Sequence, residues 1–156
     1  MLLVVLPLFL GFLSARLADG QRDEYMRLPR PPWAPPGWVF PVVWTVLYLA
    51  MGVALQRVAH APPSRTKSVA IALFVVQLGL NIIWTPVFWS GHAEKALTIL
   101  RLLIVAVVAT ALVMARVDTV AAALFAPYVA WLGIAHELNR FVVTRQRRTP
   151  DEPSSV

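Results

Sequence analysis

The chain has no cysteine, so disulfide bonds and thiolate chemistry are excluded and cysteine usage says nothing about redox compartment. Charge is scarce as well: 14% of the 156 residues are Asp, Glu, Lys or Arg, against about a quarter in soluble domains. Of the eight acids, seven lie outside the apolar stretches, so neither a carboxylate pair nor a Ser-His-Asp grouping is in place for hydrolysis. Histidine is sparse too. His60 and His92 fall in connecting segments, which leaves His136 without co-ligands, and no metal is expected. Internal repeats are absent, and so is any charged pathway of the kind a carrier needs.

What remains is apolar. Hydrophobic residues make up 58% of the sequence and mean hydropathy is +0.67. They come in five blocks, at about residues 2–18, 39–58, 69–89, 96–115 and 120–143. A helix needs about 20 residues to cross a hydrocarbon core of about 30 Å, and each block is close to that length. Strands with open edges cannot leave their amides unpaired in lipid. The expectation is an all-α integral membrane bundle of five transmembrane helices. It forms one domain over residues 1–145, followed by a disordered polar tail over 146–156. The first block lacks the charged n-region of a signal peptide and reads as a retained helix.

The net charge of +6 does not point to nucleic acid, because the basic residues sit at block edges. Arg16, Arg22, Arg27, Arg30, Lys95, Arg140, Arg145, Arg147 and Arg148 fall on one side of the membrane. Arg57, Arg65, Lys67 and Arg116 fall on the other. The positive-inside rule places the C-terminus and the loop between the first two spans in the cytoplasm. Arg101 lies inside the fourth block. A charge there costs about 2.5–3.5 kcal/mol at a helix centre, so it reads as a side chain snorkelling to the headgroups.

The stretch "RLPRPPWAPPGWVFPVVWTVLY" holds six prolines and three tryptophans. Pro29, Pro31, Pro32, Pro35 and Pro36 each fix φ, so this loop is stiff. Trp33 and Trp38 stand where interfacial indoles anchor a span, which reads either as an aromatic belt or as part of a lid. Trp44 lies deeper, with Tyr48 four residues on. In the third block Gln77, Asn81, Trp84 and Phe88 form one helical stripe, and in the fifth Tyr128, Trp131, Ala135 and Asn139 form another. Polar side chains inside a span face the bundle, as interhelical hydrogen bonds or as contacts to a ligand. Pro86 and Pro127 would kink the third and fifth helices.

Three segments carry a resemblance: "YMRLPRPPWAPPGWVFPVVWTVLY", "QLGLNIIWTPVFW" and "PYVAWLGIAHELN". Together they resemble the translocator protein family, TspO/MBR, which includes the peripheral-type benzodiazepine receptor and bacterial tryptophan-rich sensory proteins. The resemblance runs from Asp19 to Arg145. It implies a five-helix membrane receptor, often a homodimer, binding porphyrins such as protoporphyrin IX and haem, other tetrapyrroles and isoquinoline carboxamide drugs. In some members the ligand is cholesterol, which makes a lipid carrier one alternative. Another is a light-dependent porphyrin-degrading enzyme, in which Trp44 and Trp131 would be the catalytic indoles. No further cofactor is implied.

By resemblance the pocket is lined by Trp44, Tyr48, Asn81, Trp84, Tyr128, Trp131 and Ala135, roofed by the loop with Trp33 and Trp38. The residue reading adds Gln77 and Asn139 as polar contacts. His136, where the family usually has threonine, would put a titratable ring on the pocket wall. Glu24 replaces a usual tryptophan before Tyr25, and Phe141 replaces the tyrosine of the family's sterol-recognition segment.

Overall fold

The computed structural model describes residues 2–18 and 30–148. The loop positions Arg22, Glu24, Tyr25, Arg27 and Pro29, and the tail beyond Arg148, lie outside the described residues. Within them the chain is helical: α1 Leu2–Ala18, α2 Val39–His60, α3 Arg65–Trp89, α4 Ala93–Met114, α5 Thr119–Ala123 and α6 Ala126–Arg148. Helices α2, α3, α4 and the α5–α6 pair are each long and apolar enough to cross a membrane, and α1 is a shorter apolar helix. Its 17 residues reach about 25 Å.

The distribution of side chains is that of a membrane protein. Val75, Val105 and Leu112 are each more than 60% exposed on the outer surface, whereas Ser14, Gln77, Asn81, Thr110 and Asn139 are at most 1% exposed inside. A soluble protein would be destabilised by so much apolar surface in water. In lipid that surface is solvated, and the buried polar groups are the ones that need partners.

The helices pack in the succession α2, α1, α3, α4, α6, with α2 also touching α3 and α5 linking α4 back to α2. Two glycines set the closest approach. A Cβ on Gly11 would overlap the Tyr48 ring, and one on Gly52 would overlap the Val4 carbonyl. Thus α1 lies flat against α2, as small residues allow when no hydrophobic effect drives helix association. Ser14 Oγ donates to the Ile82 carbonyl at 2.7 Å, tying α1 to α3.

Several boundaries differ from those expected, each for a local reason. Helix α3 starts at Arg65 rather than at 69 because Ser64 accepts from the Lys67 N–H at 3.1 Å and caps it. Lys67 Nζ then reaches the Ala59 and Ala61 carbonyls at 2.6 and 2.7 Å, closing the end of α2. The fifth span is not one kinked helix. It breaks at Leu124 and Phe125, and α6 restarts at Ala126, which places Pro127 in a first turn where its missing N–H costs nothing. At the far end α6 runs on through Gln146, Arg147 and Arg148, residues expected in the tail. Arg147 Nε lies 2.7 Å from Glu94 Oε1 and Gln146 Nε2 donates to the Gly91 carbonyl at 3.3 Å, holding that last turn on the start of α4.

Candidate functional site

Aromatic rings from α2, α3 and α6 meet inside the bundle around Trp44, which is itself half-buried. It stacks on Tyr48 with centroids 5.4 Å apart. It also faces Trp84 at 6.3 Å and meets Tyr128 edge-on at 6.0 Å. Trp84 in turn stacks on Phe88 at 5.4 Å and 11°. Trp131 turns inward too, 8% exposed, with the edge of Phe40 on it at 5.6 Å. The 3.6-residue period explains why: on each helix these residues recur every three or four positions and share one inner face.

A single amide binds the three helices under these rings. Tyr48 Oη donates to Asn81 Oδ1 at 2.5 Å, and Asn81 Nδ2 donates to Tyr128 Oη at 2.8 Å. Asn81 thus realises the interhelical hydrogen-bond reading, with both ends of its amide engaged. Asn139 does similar work elsewhere: its Nδ2 donates to the Ala93 carbonyl at 2.9 Å, fastening α6 to the start of α4. Gln77 Nε2 lies 3.6 Å from Met51 Sδ, a weak contact.

Some buried polar atoms have no protein partner. They include the indole N–H groups of Trp84 and Trp131 and the amide oxygens of Gln77 and Asn139. In hydrocarbon such atoms are costly. The indole N–H groups of Trp84 and Trp131 therefore stand as open donors among apolar walls, as the polar groups of a small-molecule site do.

Besides Asn139, three of the expected lining residues are not in this cluster. Trp33 and Trp38 are 53% and 70% exposed, so their indoles do not close over the rings. That exposure fits the aromatic-belt reading of the two side chains. His136 faces outward, into a cavity of about 500 Å³ lined by Arg101, Ile104, Val105, Gly133 and Glu137. The α6 periodicity accounts for this, because His136 is one position past Ala135 and so about 100° around the helix from the inner face. A second cavity, of about 450 Å³, lies at the far end among Gln56, Arg57, His60, Ala61 and Asp118. The centre was expected to be hollow, yet its rings touch one another, since apolar side chains close on any void they can reach. Ala135 remains buried on the inner face.

Phe40 was missed. It lies four residues before Trp44, on the same helical face, so the spacing that singled out Tyr48 would have found it one turn earlier.

The fold and the cluster define a class: a multi-pass helical membrane protein with an aromatic, hydrogen-bonded interior between its second, third and last helices. Comparison with known proteins names the family within that class. The profile of the TspO/MBR family matches residues 3–144. The tryptophan-rich sensory protein of Cereibacter sphaeroides is 39% identical over 140 residues, covering 85% of this chain and 87% of its own. The translocator protein of Bos taurus is 36% identical over 140 residues, 86% of this chain and 82% of its own. Protein CrtK of Rhodobacter capsulatus is 36% identical over 117 residues, 74% and 73% of the two chains. The chain belongs to the TspO/MBR family and is an integral, multi-pass membrane protein.

Proposed function

We propose that this protein is a membrane receptor for porphyrins and related tetrapyrroles, with the ligand held among Trp44, Trp84, Tyr128 and Trp131. The observation that carries the reading is the pairing of stacked rings, Trp44 on Tyr48 and Trp84 on Phe88, with unpartnered indole N–H groups on Trp84 and Trp131. A porphyrin offers a wide flat face to the rings and carboxylates to the N–H donors. For it to enter, the rings have to separate, sliding apart between α2 and α6. Isoquinoline carboxamides, with one flat face and one carbonyl, suit the same walls. The proline-rich loop lies on the same side as the C-terminus, which the basic residues put in the cytoplasm.

The test is a binding screen of the full chain in detergent, read by quenching of tryptophan fluorescence. Protoporphyrin IX, an isoquinoline carboxamide and cholesterol are compared. Protoporphyrin is expected to bind most tightly, with affinity falling by about tenfold in Trp44→Phe and in Trp131→Phe, the loss of one stacking partner. Unchanged porphyrin affinity in both variants would refute the stacking site, and tighter cholesterol binding would favour a lipid carrier.

The closeness of Trp44 to Tyr48 and Tyr128 also favours a second reading. Light-excited porphyrin would take an electron from Trp44 and pass it to dioxygen, the neighbouring phenols would share the hole left on the indole, and the reduced oxygen would add to the macrocycle and open it. Illumination of the bound complex would then bleach the Soret band in the wild type and not in Trp44→Phe. Bleaching no faster than with free tryptophan would leave binding as the whole activity.

A further inference from the structure

The outer cavity between α4 and α6 belongs to no part of the aromatic site. It is lined by Arg101, Ile104, Val105, Gly133, His136 and Glu137. Arg101 is eight residues into α4, about 12 Å along its axis from the first residue. Among the described residues it has no acidic partner within ion-pair distance. The one acid nearby is already engaged on its own helix. Glu137 Oε1 lies 3.1 Å from His136 Nδ1 and 3.7 Å from Arg140 Nη1. With Arg140 offsetting Glu137, the guanidinium of Arg101 is the uncompensated charge on an apolar, lipid-facing groove. Val105 beside it is 68% exposed. Gly133 leaves the groove open, since a Cβ there meets nothing within 4 Å.

An unpaired guanidinium on a lipid-facing groove, long enough to snorkel to the headgroups, calls for an anion brought by the membrane itself. The geometry points to a phospholipid site on the α4–α6 face. The lipid phosphate would accept from Arg101, and its acyl chain would lie over Gly133 along Ile104 and Val105. A planar, multi-donor guanidinium suits two phosphate oxygens at once. The surrounding apolar surface suits the chain and would repel a free hydrated ion. This site is independent of the tetrapyrrole reading and stands or falls separately.

The test uses the full chain, stripped of lipid in detergent and examined by native mass spectrometry. It is titrated with palmitoyl-oleoyl phosphatidylglycerol and with the matching diacylglycerol, which lacks the phosphate. The wild type is expected to retain one phosphatidylglycerol and no diacylglycerol. Arg101→Gln should weaken the phospholipid by about tenfold through loss of the charge-assisted bonds. Gly133→Leu should weaken it similarly by filling the groove, with no change in charge and no clash inside the bundle. Arg116→Gln, at the opposite end, should leave it unchanged. Wild-type affinity in both Arg101→Gln and Gly133→Leu would overturn the site, as would equal retention of diacylglycerol. A fall in dimer fraction in Arg101→Gln, with phospholipid binding intact, would instead assign the groove to a second copy and equally overturn it.

Discussion

Asn81 accepts from Tyr48 and donates to Tyr128, so one side chain joins three helices. Removing either phenol leaves half of its amide unpaired in a buried place. Tyr48→Phe should therefore cost about 1 kcal/mol, in the range of interhelical hydrogen bonds in membranes. Thermal unfolding in detergent measures it, and an unchanged midpoint would deny the bond any role. At this scale the sequence was informative wherever helical spacing decides direction. Gln77, Asn81, Trp84, Tyr128, Trp131, Ala135 and Asn139 all face inward, because positions three and four apart share a face. Which polar group meets which was not legible, since that depends on the offset between helices. Asn139 shows this: its stripe is on the inner face, yet its Nδ2 serves the Ala93 carbonyl. His136 was misplaced by analogy with the family, although one step of helical rotation from Ala135 already turns it outward.

Each helix was visible as an apolar block, but the starts set by caps were not read, and α3 begins four residues earlier than its apolar block. Ser64 before Arg65 and Asp118 before Thr119 are both capping residues, and both side chains accept a backbone N–H. The break before Pro127 was less legible, because proline inside a span permits a kink as readily as a restart. Contact between helices was not written in hydropathy at all. Gly52 looks like any small residue until Val4 is found against it. Gly52→Val should push α1 away from α2 and cost about 1–3 kcal/mol, as overpacking does. A melting midpoint equal to the wild type would mean that α1 yields freely.

At the opposite end of the bundle from the proline loop, Arg57 Nη2 lies 2.9 Å from Asp118 Oδ2 and Arg57 Nε donates to Oδ1 at 3.1 Å. This clamps α2 to the turn before α5. The bond from Arg57, then the Ala121 N–H, holds the Asp118 carboxyl below its ordinary range. A carboxyl depressed in the folded state contributes fully above the ordinary carboxylate pKa, and the contribution is lost as pH falls through the lowered value. Asp118→Asn keeps the cap and removes the charge. Its melting midpoint should fall below the wild type at neutral pH, and the difference should vanish in strong acid. A gap that persists in acid would assign the effect to something other than the ion pair.

For the whole molecule, the surface is inverted relative to that of a soluble protein: large apolar side chains face outward, while an interior that is itself mostly apolar holds the buried amides. That inversion was evident from composition, and so was the placing of indoles on three inner faces. The closed packing of those indoles was not, because periodicity gives direction and no distance. The central claim is that a flat tetrapyrrole enters among these rings. Indole N–H resonances of the six tryptophans, assigned in the full chain in detergent, report on it directly as protoporphyrin IX is added. The resonances of Trp44, Trp84 and Trp131 should move by ring-current shifts while those of Trp33 and Trp38 stay near their starting values. Shifts confined to Trp33 and Trp38, with the three inner indoles unmoved, would contradict the account.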